Sequence, residues 1–226
     1  DYKTENDGIS GVFEPVRCNT FITESTFGLP VYNWKPQVEI FAAMQQWISQ
    51  NIQSGKSSVI TAYSLGKAQR ILQAITPVTQ KIYVHGAVWN VHTTLQEYGI
   101  ALPDVKRVTP ETTKEELMDA VIITPSSGAD GSWIKRFAPY ELAVCSGWMQ
   151  VRGNVRRNNA DAGFALSDHA DWNGLLTSIK ATGATKVYVT HGFQSVLSRY
   201  LNEQGIEAAE VKTEFGNGEE VVVPEN

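Results

Sequence analysis

The sequence has few cysteines, no long hydrophobic run and no excess of positive charge. These are the features typical of secreted disulfide-bonded proteins, membrane proteins and polyanion-binding proteins. Two of its 226 residues are cysteines, Cys18 and Cys145, and their separation fits neither a metal knuckle nor a disulfide framework. No hydrophobic run reaches the length of a membrane span, and no signal peptide is visible. The formal net charge is −5, so any attraction to a polyanion must be local or carried by a metal ion. We therefore expect a reduced, cytoplasmic protein without a membrane partner.

The composition is that of an ordinary globular protein, with 42% hydrophobic and 19% charged residues. After residue 36, runs of β-branched residues alternate with apolar residues at helical spacing, which is typical of an α/β fold with a parallel sheet covered on both faces. Pro30 and Pro36 mark a linker before this module, and the polar residues 153–161 mark a return linker. We predict a middle domain, residues 31–155, inserted between two framework segments, residues 1–30 and 156–226.

Two of the four histidines follow predicted strands. His169 and His191 each come after an apolar or β-branched run, and the residues between them form a helical pattern with Asp171 at its N-cap. This strand–helix–strand unit is a parallel crossover, which brings both histidines to one edge of a sheet, where ligands bind in open α/β sheets. A single histidine is more often a packed or surface residue, but this pair with its neighbouring aspartates indicates a metal or catalytic site.

A carboxylate, Glu24, also ends a predicted strand, because the β-forming residues 19–23 precede it. An exposed glutamate at a strand end is the alternative interpretation. The first four residues resemble the end of a strand that enters a turn at residues 6–8. Residue 1 is Asp rather than Met, so we expect this chain to be a piece of a longer one. Residues 207–223 are predicted to form a hairpin with its turn at residues 216–218.

Several short motifs, taken in order, resemble those of the β-CASP branch of the metallo-β-lactamase-fold nucleases. The run from Ser146 to Gly153, followed by residues 167–172, is most similar to the bacterial ligase-associated DNA exonucleases. The resemblance spans nearly the whole chain. It implies the carboxy-terminal half of an αββα sandwich with an inserted parallel-sheet β-CASP cap domain. The motifs are Asp1-Tyr-Lys, Thr23-Glu-Ser-Thr-Phe-Gly28, Ser167-Asp-His-Ala-Asp171 and Thr190-His-Gly192.

The resemblance also implies a role for each of four residues. Asp1 matches the carboxylate that bridges two zinc ions, and His191 matches a ligand of the second zinc. His169 matches the histidine that protonates the leaving oxygen of a cleaved phosphodiester, and Glu24 matches the acid that holds it. A carboxylate beside an imidazole favours its protonated form, which suits a general acid. The expected protein is a zinc-dependent DNA exonuclease in repair, linked in function to a DNA ligase.

The chain departs from this family in one respect. The family needs a His-x-His-x-Asp-His run and another histidine upstream of the Asp1 position, and the sequence contains neither. His85 and His92 lie inside the predicted cap and cannot form that run. His85 could either pack in the interior or face the cleft, and His92 is expected to be structural. We therefore expect an amino-terminal truncation that binds two zinc ions weakly or not at all and is inactive alone. The motif around His191 also keeps an RNA-processing ribonuclease open.

Three short loops are predicted to contact the nucleic-acid backbone, with DNA favoured over RNA as the partner. Each offers small residues or a cation at the start of a helix or in a turn, where N–H groups can meet a phosphate. None contains a complete phosphate-loop pattern, so a structural turn is the alternative for each. The candidates are Ser64, Gly66 and Lys67; Ser126, Ser127 and Gly128; and Arg152 with Gly153.

Two other classes of function can be built from the same residues. Residues 61–66 lack one glycine of a nucleophile-elbow pattern, and Ser64 followed by Asp168 and His191 gives the chain order of a serine hydrolase. Against this class, no oxyanion-hole motif is apparent and the two acidic candidates would have no role. The third class is a non-catalytic nucleic-acid-binding module, which would suit a chain that lacks the metal-binding run.

Overall fold

The computed structural model describes residues 1–129 and 131–211 of the chain. The strands are β1 (Thr20–Glu24), β2 (Ser57–Thr61), β3 (Ile82–Val84), β4 (Lys106–Arg107), β5 (Val121–Thr124), β6 (Tyr140–Cys145), β7 (Ala162–Phe164), β8 (Lys186–Thr190) and β9 (Glu207–Glu210). The helices are α1 (Gln37–Gln53), α2 (Lys67–Ile75), α3 (Gly86–Glu97), α4 (Lys114–Leu117), α5 (Gly153–Arg157), α6 (Trp172–Thr182) and α7 (Gln194–Glu203). Every strand pair among these described residues is parallel, so the prediction of an α/β fold with parallel sheets is confirmed.

The chain divides into two compact units. The first is Asp1–Asn33 with His169–Asn226, and the second is Trp34–Asp168. The chain passes from the first unit to the second after Asn33 and returns after Asp168. The sequence predicted these boundaries after residues 30 and 155. The assignment of the units to a metallo-β-lactamase framework and a β-CASP cap stays a prediction.

The second unit contains a six-stranded sheet in the order β4-β3-β5-β2-β6-β7. All of β2 is buried, and its successive side chains point to opposite faces of the sheet. Ile60 packs in one apolar cluster with Ile71 of α2, and Val59 packs in another with Phe137. The sheet is therefore covered on both faces, and each such buried side chain contributes roughly 1.5–3 kcal/mol. Because the strands are parallel, their carboxyl ends all lie at one edge.

The first unit contains a three-stranded parallel sheet in the order β1-β8-β9. Val187 and Val189 of β8 are buried in a cluster with Leu175 of α6 and Leu197 of α7. The register pairs Glu24 with Thr190, so β1 and β8 end side by side. The crossover that the sequence predicted between the two histidine motifs is wrong. The strand before His169, β7, pairs with β6 in the six-stranded sheet, whereas the strand before His191, β8, pairs with β1 and β9.

Helix α6 begins and ends where its sequence signals indicate. The Asp171 carboxylate accepts a hydrogen bond of 2.7 Å from the Gly174 N–H, which makes it the N-cap. Gly183 ends the helix with φ = 66°, a left-handed conformation that glycine adopts without steric cost.

Of two predictions at the chain ends, one is wrong and the other is only partly covered by the described residues. Residues 1–4 do not form a strand, because their backbone groups bond to a side chain and to a loop rather than to a neighbouring strand. In the predicted hairpin, the described residues 207–210 form β9, which pairs parallel with β8. The turn predicted at 216–218 lies outside the described residues. None of the helices in the described part of the chain has the length and apolar character that a membrane crossing needs.

Candidate active site

Asp1, Glu24 and His169 come together within the first unit. One ligand-type atom from each lies within 4.8 Å of the others, and this is the one such group among residues 1–129 and 131–211. Glu24 Oε2 lies 2.7 Å from His169 Nδ1, and Asp1 Oδ1 lies 3.9 Å from the same nitrogen. Two carboxylates thus face one edge of a single imidazole ring.

Glu24 is a buried carboxylate with both oxygens engaged. Its residue is 3% exposed, Oε1 accepts the Tyr2 N–H at 2.9 Å, and Oε2 faces His169. Burial by itself would raise the pKa of the Glu24 carboxyl, but hydrogen bonds from its neighbours, the largest from His169, hold that pKa below its usual value of 4.5. Glu24 is therefore a fixed negative charge at the end of β1.

His169 lies partly open to solvent against this buried charge. Its side chain is 25% exposed, and Phe27 packs edge-on against the imidazole with ring centroids 5.8 Å apart. An ionised carboxylate only accepts hydrogen bonds, so Nδ1 must carry a proton toward Glu24. The pairing fixes the tautomer and the ring direction, and it leaves Nε2 as the nitrogen through which a proton would pass to a substrate.

Backbone contacts of Tyr2 connect the two halves of this pair. The Tyr2 N–H donates to Glu24, and the Tyr2 carbonyl accepts from the Ala170 N–H at 2.7 Å, one residue after His169. The Tyr2 hydroxyl and Thr23 Oγ1 lie 2.9 Å apart. The first residues of the chain therefore hold the end of β1 next to the loop that begins α6.

His191 lies at the end of β8 but not within the group of three. Its φ is 60°, its Nδ1 lies 2.6 Å from Thr190 Oγ1, and its carbonyl accepts a hydrogen bond from Ser25 Oγ. A Cβ at the next residue, Gly192, would lie 2.3 Å from the Ser25 carbonyl oxygen, so only glycine fits there. The ends of β1 and β8 are thus joined closely, with the His191 residue exposed.

The donor types of the triad are those that zinc binds, namely carboxylate oxygen and imidazole nitrogen. However, Glu24 and His169 already bind each other, and a metal ligated by all three would have to separate them. Asp1 is the open donor, since its carboxylate is 60% exposed. The described residues thus fit an acid–base pair with one adjacent metal ligand better than a complete site for two zinc ions.

The predicted nucleic-acid contacts all lie in the second unit, in connections that follow carboxyl ends of its parallel strands. Ser64 and Gly66 lie between β2 and α2, and Ser126–Gly128 form a 3₁₀ turn directly after β5. Arg152 and Gly153 lie between β6 and β7, where α5 begins. Ser126, Ser127, Arg152 and Gly153 are exposed.

Lys67 differs from the open cation that the sequence suggested. It is 2% exposed, and its Nζ lies 3.3 Å from Asp168 Oδ2. The same carboxylate accepts a hydrogen bond of 2.6 Å from Arg70, which is 3% exposed. A lysine in the first turn of a helix is normally solvated, so its burial here depends on an acidic partner distant in sequence.

The start of α2 also presents few open N–H groups. The Gly66 N–H donates to Gln69 Oε1 at 2.7 Å, the Lys67 N–H to the Leu65 carbonyl, and the Ala68 N–H to the Tyr63 carbonyl. These internal hydrogen bonds already satisfy donors that a phosphate would need. Phosphate binding at residues 64–67 stays a prediction, and this geometry does not favour it.

The other two histidines have structural contacts in the second unit. His85 Nδ1 accepts the Ala87 N–H at 3.1 Å and caps α3, and burial with the nearby Arg107 lowers the pKa of His85. His92 is 1% exposed on α3, with Nε2 lying 3.0 Å from the Pro103 carbonyl oxygen. The structure supports the packing role expected for His92.

Two residues of the serine-hydrolase alternative, Asp168 and His191, have other polar partners within their own units. Both Asp168 oxygens face cations, Lys67 and Arg70, rather than a histidine. His191 Nδ1, the nitrogen that a triad aspartate would hold, lies against Thr190 instead.

Sequence reasoning gave no role to Tyr2, Phe27 or Arg70. The first two lie inside the quoted motifs, but nothing in those motifs indicated their contacts with Glu24 and His169. Arg70 lies three residues after Lys67 and therefore on the same side of α2. This spacing predicts that the two cations are neighbours.

The chain is similar to a curated protein and to a solved structure. No family model matches the chain. A protein from Opitutus terrae named "Probable DNA ligase" is 28% identical over 187 residues, which is 83% of this chain and 18% of that protein. The chain thus spans less than a fifth of the length of this curated relative. A crystal structure of a protein of unknown function from Enterococcus faecalis V583 shares the fold, with a TM-score of 0.51, 9% identity, and coverage of 89% of this chain and 51% of that one.

Proposed function

We propose that the chain belongs to a metal-dependent nuclease that hydrolyses phosphodiester bonds in DNA, acting as an exonuclease in repair. The observation that carries this proposal is the buried Glu24 carboxylate bound to His169, with the exposed carboxylate of Asp1 at 3.9 Å from the same ring nitrogen. A partly exposed histidine oriented by a buried acid suits proton transfer to a leaving group. An adjacent open carboxylate suits a divalent cation.

In this proposal the roles follow from the contacts of each residue. Glu24 holds Nδ1–H of His169 and orients the ring, while the Tyr2 N–H fixes the carboxylate that does so. His169 passes a proton from Nε2 to the oxygen that leaves the phosphorus. Asp1 and His191 are the proposed metal ligands, and zinc at this position would supply a hydroxide nucleophile and neutralise phosphate charge.

DNA is proposed as the substrate because the relative from Opitutus terrae is named a probable DNA ligase. A functional link to a DNA ligase is part of the same proposal. Preferential cleavage of RNA would instead support the ribonuclease interpretation, and binding without cleavage would support a non-catalytic module.

The test is a cleavage assay on end-labelled single- and double-stranded DNA, using the protein as its gene encodes it. We expect cleavage that a chelator abolishes and that added Zn²⁺ restores. His169→Gln should lower the rate by about 10²- to 10⁴-fold, the usual contribution of a general acid. Full activity of this variant, or cleavage insensitive to chelator, would refute the proposal.

We also propose that these 226 residues by themselves bind zinc weakly and cleave poorly, because their described part supplies one open carboxylate beside an engaged pair. Equilibrium dialysis against Zn²⁺ measures this directly. Binding of two zinc ions per chain at submicromolar concentration would contradict it.

A further inference from the structure

An exposed tyrosine lies in the connection between β2 and α2 of the second unit. Tyr63 is 69% exposed, two residues after the carboxyl end of β2. Single exposed aromatic residues are common on protein surfaces and need no explanation by themselves. What distinguishes Tyr63 is the buried cation beneath its ring.

The ammonium of Lys67 lies 4.7 Å from the centroid of the Tyr63 ring. Lys67 itself is 2% exposed and is held by Asp168, which Arg70 also binds. A cation over one face of an aromatic ring attracts it and limits its movement. Among residues 1–129 and 131–211, no ring contact to Tyr63 is found on the other face.

The backbone of the connection is also fixed. The Tyr63 carbonyl accepts the Ala68 N–H at 3.1 Å, and the Gly66 N–H is bound by Gln69 Oε1 at 2.7 Å. Gly66 has φ = 80°, a conformation that favours glycine and closes the turn. The ring is therefore presented by an ordered loop, so a ligand that stacks on it meets a smaller entropy cost.

We propose that Tyr63 is a stacking platform for an unpaired base of single-stranded DNA, an inference that rests on the proposed nuclease function and names the form of its substrate. The position at the carboxyl edge of a parallel sheet is where ligands bind in such folds. An exposed ring can accept only a base that is not already stacked within a duplex. Because Lys67 is already paired with Asp168, the ring rather than the charge supplies this contact.

The test measures binding of the full chain to a fluorescein-labelled oligothymidine by anisotropy, in chelator so that cleavage does not interfere. Tyr63→Ala should raise the dissociation constant by roughly 5- to 150-fold, the range of one base–aromatic stack. Tyr63→Phe keeps the ring and should stay within about twofold of the parent. Tyr98→Ala is the matched control, because Tyr98 is 84% exposed in the same unit without a cation under its ring, and it should leave binding unchanged.

Salt separates stacking from a phosphate contact. The logarithm of the binding constant falls linearly with the logarithm of the salt concentration. Loss of a phosphate contact lowers the magnitude of this slope by about one, whereas loss of a stack leaves the slope unchanged. We therefore expect the same ratio of Tyr63→Ala to parent affinity at low and high salt. A changed slope, an unchanged affinity of Tyr63→Ala, an equal loss in Tyr98→Ala, or a parent chain that binds no single-stranded DNA would each overturn the inference.

The outcomes also separate this inference from the proposed function. A Tyr63-dependent affinity in a protein that never cleaves DNA supports the platform and refutes the nuclease. Cleavage that depends on His169 together with unchanged binding by Tyr63→Ala supports the nuclease and refutes the platform.

Discussion

The two units of the chain each pair an acid with a base, but with opposite burial. In the first unit the acid, Glu24, is 3% exposed, and its partner His169 has a side chain 25% exposed. In the second unit the bases, Lys67 and Arg70, are at most 3% exposed, and their partner Asp168 has a side chain 33% exposed.

This difference separates chemistry from structure. An imidazole exchanges protons near neutral pH, and when it is the more exposed partner it can pass a proton to a ligand. A guanidinium keeps its proton, so buried cations that hold a carboxylate make a fixed electrostatic anchor. The first pair is suited to catalysis, and the second to holding the loop after β7 against α2.

The largest expected effect is on activity in the first unit. Glu24→Gln keeps the shape of the side chain but removes the charge that faces His169 Nδ1, so the proposed DNA cleavage should fall about 10²-fold or more. Its free energy of unfolding should fall by only about 1 kcal/mol, because the Tyr2 N–H keeps an acceptor. The measurements are cleavage rate and urea denaturation. Glu14→Gln, at an exposed position, is the matched control; a similar loss of activity there would remove the distinction.

In the second unit, Asp168→Asn should destabilise the fold by about 3 kcal/mol, because it leaves two buried cations side by side. This value is at the low end for a broken buried pair, since a third of the Asp168 side chain is exposed to solvent. Adding Arg70→Met removes one of these cations and should recover part of the loss, which a double-mutant cycle by urea denaturation measures.

The exposed pair of Arg199 and Glu203, 3.8 Å apart on α7, is the control for this anchor. Glu203→Gln should change stability by less than about 0.5 kcal/mol, as expected for a surface ion pair. If Asp168→Asn has an effect as small as this, the cluster around α2 is not an anchor.

The sequence allowed local features to be predicted better than distant ones. The cap at Asp171, the end of α6 at Gly183 and the alternation of strands and helices depend on neighbouring residues, and the structure confirms them. The strand expected at residues 1–4 was wrong, because a terminal segment can satisfy its backbone through a side chain and a loop.

Contacts between residues far apart in the chain were not readable from spacing. Glu24 and His169 are 145 residues apart, and only the resemblance to nuclease motifs suggested that they meet. Arg70 and Asp168 are 98 residues apart, so nothing local indicated that Lys67 would be buried beside them. The role of the Tyr2 backbone was equally hidden, since N–H and carbonyl groups are common to almost every residue.

A smaller effect should appear in the pH dependence of stability, and it should come from His92. Unlike His169, which lies 2.7 Å from Glu24, His92 has a backbone carbonyl as its hydrogen-bond partner. Burial lowers the pKa of His92, and the carbonyl of Pro103 and the charge of Asp104 only partly offset this. Since the unfolded chain binds this proton more readily than the folded one, stability is complete above the unfolded value of 6.5 and falls as the pH drops below it. Urea midpoints at pH 7.5 and 5.5 should therefore differ less in His92→Gln than in the parent, and an equal difference would contradict this.

The smallest effect is expected at Cys145, whose thiol should not be alkylated in the folded protein. Cys145 is 3% exposed at the end of β6, and burial raises the pKa of its thiol to about 12, with Lys67 and Arg70 only partly opposing. Thiolate is the reactive form, so alkylation at pH 8 should modify the partly exposed Cys18 and spare Cys145 until denaturant is added. Mass spectrometry should count one modified thiol in the native chain and two in the denatured chain, and none in native Cys18→Ser. Equal alkylation rates at both thiols in the native parent would mean that the interior beside Lys67 and Arg70 opens readily. The cluster around Asp168 would then not be a fixed anchor, and the contrast with the accessible pair of Glu24 and His169 would not hold.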